Sequence, residues 1–324
     1  MQRRLAVLTI GLLPLCALAQ NASTLTSFTY TQVPDGPAPC LGGNRANGIN
    51  QRGDIVGRCM DNMGPRSWAL PKGSTTPTLI DFSGAPFTPN GSTTRAINDR
   101  GDIVGRYFDA GGASHGYLLS NGVFTAIDVT FPGAGNTDAR GINDPGVIVG
   151  FYRDLQLIPH GFIRDASGKF TEIKFPGADA TTARGINNSG DVVGAYAVIN
   201  ATVNPPTVAV HGFVLRRGVF TKFDFPFAGV TATLASGINE QGQIAGSYTT
   251  AVVTIKDLLG DSPPLPSHGF LRSSDGATFT PVDVDFAGVI GTDCRGGIND
   301  HGNIVGAFAF DLTPTGEHGF VTSR

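Results

Sequence analysis

The chain has 324 residues, of which 45 are glycine and 21 are proline, and only 15% are charged. This composition is typical of short strands and tight turns rather than of helices, and the glycines have no period of three, which excludes collagen. The formal net charge of −3, with acidic and basic residues mixed, provides no basic surface, so no nucleic-acid partner is expected.

The first 19 residues are predicted to be a cleavable signal peptide. A short basic segment precedes an apolar stretch over residues 5–19, and Ala17 and Ala19 are the small residues that signal peptidase reads. The stretch is too short to span a bilayer, and no other stretch is apolar enough. Cys16 follows Leu15, where a lipobox has a small residue, so a lipid anchor is the less favoured alternative. We predict a secreted, periplasmic or cell-surface protein without a membrane span.

One motif occurs six times in residues 20–324. Each copy has a small residue, Ile and Asn, then a glycine and a triplet such as Ile103-Val104-Gly105. The motif isoleucines are Ile49, Ile97, Ile142, Ile186, Ile238 and Ile298. Their spacings of 44–60 residues are close to the length of a four-stranded propeller blade.

Each unit contains two further β-rich runs. Five units carry a His-Gly-aromatic segment, and the first has Ser67-Trp68-Ala69 in that place. We name the four predicted strands a (Gly-Ile-Asn), b (Ile-Val-Gly), c (His-Gly-aromatic) and d, which is represented by residues 123–128. Asn-x-x-Gly joins a to b, and a turn such as Asn121-Gly122 joins c to d. Both are hairpin signals, because Asn and Gly tolerate positive φ.

These units resemble the HAF-type extracellular repeats of bacterial exported proteins. The resemblance covers nearly the whole mature chain, although glycine or another residue stands where the family has the alanine of His-Ala-Phe. It implies an exported, propeller-like protein, and it implies no particular biochemical activity.

The predicted fold is all-β, a six-bladed β-propeller of four-stranded blades that forms one domain over residues 20–324. Residues 28–34 look like a strand d, whereas the sixth unit stops at its strand c around Phe320. The N-terminal run is therefore predicted to complete the last blade, as in WD-repeat proteins, which would cover two sheet edges. The alternative is an open β-solenoid, although solenoids favour shorter repeats and terminal caps.

In such a propeller strand a lines the central channel, and the b–c and d–a connections share one face. We call it the long-loop face, because the b–c segments 198–210 and 249–267 are long insertions there. The a–b and c–d turns define the opposite, short-turn face. Length variation that is restricted to one face is typical of a binding surface in a repeat protein.

Candidate ligand-binding residues lie near the long-loop end of the predicted channel. Arg95, Arg140 and Arg184 each stand two residues before the motif isoleucine, Arg45 and Arg295 are close to that register, and Ser236 breaks it. Near the end of strand b come Tyr107, Tyr152, Tyr196 and Tyr248. Guanidiniums bind carboxylates bidentately, and aromatic rings offer apolar faces to sugars. The alternative is that each Arg pairs with an acid such as Asp138 and each Tyr packs between blades.

No catalytic residue, metal site or cofactor is predicted. The repeated histidines are interpreted as structural, because one per blade cannot converge on one metal ion. The acids of the a–b turns are interpreted as local hydrogen-bond acceptors. The chain lacks a Gly-x-Ser-x-Gly elbow, an HExxH motif and a phosphate-binding loop.

Three cysteines remain after removal of the signal peptide: Cys40, Cys59 and Cys294. An exported protein with three thiols can form one disulfide. We predict that Cys40 pairs with Cys59, and Cys40 with Cys294 is the alternative.

The predicted function is that of an exported, monomeric, non-catalytic binding or scaffolding propeller that recognises a carbohydrate or a cell-surface protein on the long-loop face. The alternative is a glycoside hydrolase or polysaccharide lyase at the channel mouth, since propellers host both roles. An asymmetric acid cluster or a Tyr–His pair in the channel would favour the enzyme, whereas an equivalent set in every unit would favour binding.

Overall fold

The computed structural model describes residues 28–82, 85, 90–259, 266–313 and 315–323, so the predicted signal peptide lies outside the described residues. Strands and turns make up nearly all of the described chain, together with one short helix, α1 (Ile255–Leu259). No helix in the described part of the chain is long and apolar enough to cross a bilayer.

The strands follow the repeat units in chain order. The chain enters through β1 (Thr29–Gln32). Strands a to d of the first unit are β2 (Gly42–Ile49), β3 (Ile55–Asp61), β4 (Gly64–Leu70) and β5 (Thr78–Leu79). The second unit contains β6 (Ser92–Ile97), β7 (Ile103–Phe108), β8 (Ser114–Ser120) and β9 (Val123–Ile127). The third contains β10 (Gly135–Ile142), β11 (Ile148–Arg153), β12 (Pro159–Arg164) and β13 (Phe170–Ile173).

The remaining units have the same order with longer connections. The fourth contains β14 (Ala180–Ile186), β15 (Val192–Asn200), β16 (Thr207–Arg216) and β17 (Val219–Phe223). The fifth contains β18 (Ala232–Ile238), β19 (Ile244–Thr249), β20 (His268–Arg272) and β21 (Phe279–Pro281), with α1 between β19 and β20. The sixth contains β22 (Gly291–Asp293), β23 (Val305–Ala309) and β24 (Glu317–Ser323).

Within each unit the strands pair antiparallel in sequence order, which gives groups of four. The groups of the fourth and fifth units are joined into one eight-stranded sheet by a single parallel bridge between Val210 and Ala232. The sixth group takes β1 as its fourth strand: β1 pairs antiparallel with β24, from Thr29 opposite Ser323 to Gln32 opposite Phe320. The predicted pairing of the N-terminal run with the strand around Phe320 is therefore present.

A close approach inside each unit explains why Gly follows Ile-Val in strand b. Gly194 lies opposite Phe213 of strand c, and a Cβ on Gly194 would overlap the carbonyl oxygen of Thr182 on strand a. The ring of Phe213 covers the glycine and is fully buried. The equivalent aromatic residues are Trp68, Tyr117, Phe162, Phe270 and Phe320. The Ile-Val-Gly and His-Gly-aromatic motifs are thus two halves of one contact.

The apolar core lies between neighbouring units rather than inside any one of them. Val104 of the second unit packs in one cluster with Ile142 and Phe162 of the third, and Val149 of the third packs with Ile186 and Phe213 of the fourth. Strands that are buried on both faces by this stacking read as continuous apolar runs.

The asparagines of the repeated motif connect each unit to the next. Asn143 accepts a hydrogen bond from the backbone N–H of Val147 in its own turn and donates through Nδ2 to the carbonyl of Asn187 in the following unit. The same side-chain donation runs through Asn50, Asn98, Asn143, Asn187, Asn239 and Asn299, whose Nδ2 donates back to the carbonyl of Asn50.

The residues after these asparagines form a second series. The backbone N–H of Asp99 donates to Asp144, and that of Asp300 donates to Gln51. The turn acids accept hydrogen bonds from backbone N–H groups as predicted, but in this series the donor belongs to the adjacent unit instead of the local turn.

Candidate ligand-binding site

A β-bulge in strand a directs the predicted arginines towards a common cavity. The register between β6 and β7 skips one residue between Thr94 and Ala96, so Arg95 lies outside the ladder. The same skip passes Arg140 in β10 and Arg184 in β14. A bulge re-aims the side chain of its extra residue. The cavity they line measures about 720 Å³ including its open mouth, and its arginines are Arg45, Arg95, Arg140, Arg184 and Arg295, which we call the arginine collar.

Asp138 is the shared partner of three of the surrounding arginines. Its side chain is 1% exposed, and its Oδ2 lies 2.9 Å from Arg95, 3.0 Å from Arg140 and 3.2 Å from Arg106. Burial alone would raise the pKa of this carboxyl, but the guanidiniums of Arg140, Arg95 and Arg106 outweigh it and hold the pKa at about 2. Asp138 is therefore ionised at neutral pH and has no proton to donate.

Asp293 and Glu317 form the ion pairs of two other collar arginines, Arg45 and Arg295. Arg45 contacts Asp293 at 2.7 Å and Glu317 at 3.0 Å. Glu317 also pairs with Arg58 at 3.1 Å, and Asp293 pairs with Arg295 at 3.4 Å. The alternative in which arginines pair with nearby acids thus describes Arg45, Arg95, Arg140 and Arg295.

Arg184 differs from them. It is 4% exposed, and its Nη2 donates a hydrogen bond of 2.5 Å to the carbonyl oxygen of Leu258 in α1. Among the described residues no carboxylate pairs with its guanidinium, and its buried Nε has no hydrogen-bond partner. Burial lowers the pKa of Arg184 well below the usual value, and the nearby Arg140 and Arg295 lower it further. Arg184 is a buried cation in surroundings that are themselves positive.

The described lining of the cavity is cationic. It contains five arginines and no aspartate or glutamate. The side chains of the ion pairs beside it are at most 13% exposed. Concentrating like charges in a buried site is costly. An anionic ligand in the cavity would therefore lower the electrostatic cost of its clustered guanidinium groups.

The predicted tyrosines do not join this collar. Among the described residues that line the cavity none is a tyrosine. Tyr107, Tyr152 and Tyr196 are at most 6% exposed and pack in the clusters between units. Burial raises the pKa of all four phenols, that of Tyr152 to about 12, so they remain neutral. Because side chains alternate between the faces of strand b, Arg106 reaches Asp138 while the adjacent Tyr107 packs away from it.

Each of these tyrosines lies against the histidine of its own unit. The ring centroids of Tyr152 and His160 are 5.1 Å apart, and the same distance separates the pairs that contain Tyr107, Tyr196 and Tyr248. The histidines also hold acids near the end of strand d: His211 lies 2.7 Å from Asp224, and His115 lies 2.9 Å from Asp128. The Tyr–His pair thus recurs in four units, which is the repeated arrangement that favours a structural role over catalysis.

The opposite mouth of the cavity is acidic. Asp99, Asp144, Glu240 and Asp300 line it on the short-turn face. Burial and the neighbouring Asp144 and Asp300 raise the pKa of Asp99. Within the described residues no group of three or more His, Cys, Asp or Glu side chains could hold a metal ion.

Two of the three cysteines described belong to the first unit, and Cys294 belongs to the sixth. Cys40 and Cys59 form a disulfide with their Cα atoms 5.8 Å apart, within the limit of about 7 Å that such a bond requires. Cys294 is a free, fully buried thiol, and burial raises its pKa well above the usual value.

Comparison with known proteins identifies the fold. No protein-family model and no curated protein matches the chain. A TolB structure from Agrobacterium tumefaciens aligns with a TM-score of 0.53 at 13% identity and covers 86% of this chain and 89% of its own. A mutant of AofleA from Arthrobotrys oligospora, in which three arginines are replaced by alanine, has a TM-score of 0.48 at 11% identity, covering 89% of this chain and 84% of its own.

The β-propeller domain of the Trilobed protease from Pyrococcus furiosus has a TM-score of 0.43 at 11% identity, covering 87% of this chain and 81% of its own. The likeness to TolB shows a β-propeller fold, and at this identity it shows the fold alone.

Proposed function

We propose that the chain is an exported, six-bladed propeller closed by its N-terminal strand. The six groups of four strands support the blade count. The pairing of β1 with β24 and the return of the asparagine series from Asn299 to Asn50 support closure. The signal-peptide pattern at residues 1–19 and the resemblance to extracellular repeats support export.

We infer that this propeller is a non-catalytic binding protein that takes an anionic ligand at the arginine collar. The observation that carries the inference is Arg184, a buried guanidinium without a carboxylate partner among the described residues, in a cavity with an excess of cations. Acidic sugars and acidic groups of a cell-surface protein have the required charge. Guanidiniums form charge-assisted, bidentate hydrogen bonds with such groups.

The enzyme alternative has less support. A glycosidase needs one carboxyl that is protonated at working pH and a second as nucleophile or base. Asp138 has a pKa of about 2, and Asp293 and Glu317 are each bound by two arginines. The geometry therefore suits binding of an anion better than proton transfer to a leaving group.

A glycan array that includes uronic and sulfated sugars, together with neutral analogues, tests the proposal. We expect the mature chain to retain acidic ligands only and to release them as the salt concentration rises. Arg184→Gln should weaken binding by about tenfold or more, because a hydrogen bond to a charged group contributes roughly 1.5–3 kcal/mol. Arg100→Gln, an exposed arginine of the short-turn face, is the matched control.

Two results would contradict the proposal. Equal retention of neutral and acidic ligands, or unchanged binding by Arg184→Gln, would show that the arginine collar does not bind the ligand. Release of reducing sugar ends in a parallel assay would favour the hydrolase or lyase instead.

A further inference from the structure

A second cavity adjoins the arginine collar beside the first, second and sixth units. Arg45 lines both cavities, and Asp293, which pairs with Arg45 and Arg295, lies at their junction. This side pocket measures about 1370 Å³ including its open mouth. It is therefore wide enough for a ligand much larger than a single ion.

The walls of the side pocket are mainly apolar. Met60, Pro65, Phe108, Phe308 and Leu312 line it, and Leu312 stands on the rim with 79% of its surface exposed. Among the described residues that line it, three arginines, which include Arg58 and Arg106, stand with three carboxylates, which include Glu317 and Asp311. The described lining of the collar, in contrast, has five arginines and no carboxylate.

The long insertion of the fifth unit bounds the collar elsewhere. Leu258 of α1 is fully buried and places its carbonyl oxygen on Arg184, and α1 packs against β14 and β15 of the fourth unit. The side pocket lies beside the collar on another side and offers it a neighbouring surface with a large apolar part.

We propose that the two cavities together bind an apolar organic acid, with its carboxylate at Arg184 and Arg140 in the collar and its apolar body in the side pocket. This proposal rests on the proposed function and names the ligand class. The hydroxyl groups of a sugar would find few hydrogen-bond partners on Met60, Pro65 and Leu312, whereas an aromatic or aliphatic body would bury apolar surface there. A free acid and the C-terminal residue of a peptide carry the same chemistry.

Titration calorimetry of the full exported chain tests the proposal with four probes: 4-phenylbutyrate, its neutral amide, acetate, and a short peptide that ends in Leu-Phe with a free or an amidated C-terminus. We expect 4-phenylbutyrate to bind at least tenfold more tightly than its amide and at least tenfold more tightly than acetate. Tighter binding of the free-acid peptide would identify a chain end as the source, and tighter binding of 4-phenylbutyrate would identify a small acid.

Three variants locate the two parts of the ligand. Arg184→Gln should weaken the binding of every acid, and the melting temperature of this variant shows whether it folds. If it does not fold, Arg184→Lys replaces it as the test, because lysine keeps the positive charge. Leu312→Asp, on the exposed rim, should weaken 4-phenylbutyrate several-fold more than acetate. Val219→Asp is the control: Val219 is 65% exposed and begins β17, next to the short c–d turn on the opposite face.

The outcomes separate this proposal from the proposed function. Equal affinity for acetate and 4-phenylbutyrate, or no effect of Leu312→Asp, would overturn the side pocket while the collar stands. No binding of any of these acids, while acidic glycans are still retained on the array, would overturn the side pocket alone. No binding of an acid in either assay would overturn both.

Discussion

Asp138 is the residue on which the cationic side of the channel depends. Its carboxylate is within 3.2 Å of three guanidiniums on two neighbouring units, and it is 1% exposed. Removing one member of a buried ionic cluster leaves the others unpaired, which costs more than an exposed ion pair ever contributes. Among the described residues no carboxylate pairs with Arg184, whereas Asp138 pairs with Arg95, Arg106 and Arg140.

Asp138→Asn is therefore expected to lower the free energy of unfolding by about 3–5 kcal/mol. The folded pKa of about 2 lies below the usual value, so this stabilisation is fully present above the unfolded pKa of roughly 3.9. It is lost as the pH falls towards 2, and the difference between wild type and variant should then shrink. Urea unfolding at pH 7, 4 and 2.5 measures this. Asp285→Asn, at an exposed site, is the control. A difference in unfolding free energy between wild type and Asp138→Asn that grows on acidification would contradict the low pKa of Asp138.

At the scale of the strand, the closest contact in each unit is the one between the glycine of strand b and the aromatic ring of strand c. Protein interiors are close-packed, so even one added methyl group destabilises the fold when it would overlap backbone atoms. This contact sets how near strands a and b lie to the ring, and hence where the bulge presents its arginine.

Gly194→Ala is expected to destabilise the protein by about 3 kcal/mol or more, because the added Cβ would overlap the Thr182 carbonyl oxygen and lie 2.8 Å from the Phe213 ring. Gly135→Ala adds the same methyl where the nearest atom is 3.5 Å away, so its unfolding midpoint should change little. Thermal unfolding of the two variants side by side makes the comparison. Similar melting temperatures would show that strand b can shift to accommodate the methyl group.

At the scale of the whole molecule, β1 is the element that links the beginning of the described chain to its end. Val33 follows β1, is 2% exposed, and donates its backbone N–H to the carbonyl of Gly319 at 2.9 Å. Without β1, the outer edge of β24 would present unpaired backbone groups, and such an edge invites association with other chains.

A chain that begins at Asp35, and so lacks β1, is expected to unfold at a lower urea concentration and to aggregate at concentrations where the mature chain is monodisperse. Val33→Ala should cost roughly 2 kcal/mol by removing buried apolar atoms, and Val123→Ala, which is 64% exposed, should cost little. Urea titration and light scattering give the two readouts. An unchanged midpoint for the truncated chain would mean that the pairing of β1 with β24 contributes nothing to stability.

The sequence by itself determined the repeating unit, its four strands and their order, because the repeated motifs and the Asn and Gly turns are local signals. It also indicated the pairing of β1 with β24, since the sixth unit lacks a fourth strand and the N-terminal run supplies one. The Asn-x-x-Gly segment after strand a was recognisable as a turn. The hydrogen bond from Asn143 to the next unit was not, because its partner is 44 residues away in sequence.

Only the tertiary structure decided which of the candidate side chains meet. The spacing grouped Arg95 with Tyr107, but a one-residue bulge at Arg95 turns its side chain towards the channel while the regular ladder keeps Tyr107 between the units. The spacing of residues in the sequence does not reveal such a bulge, and a single extra residue reverses the face of the strand on which a side chain lies. The ion pairs beside the collar also depend on the tertiary structure: Arg58 and Arg106 come from strand b, Glu317 comes from strand c, and only the stacking of the units brings them there.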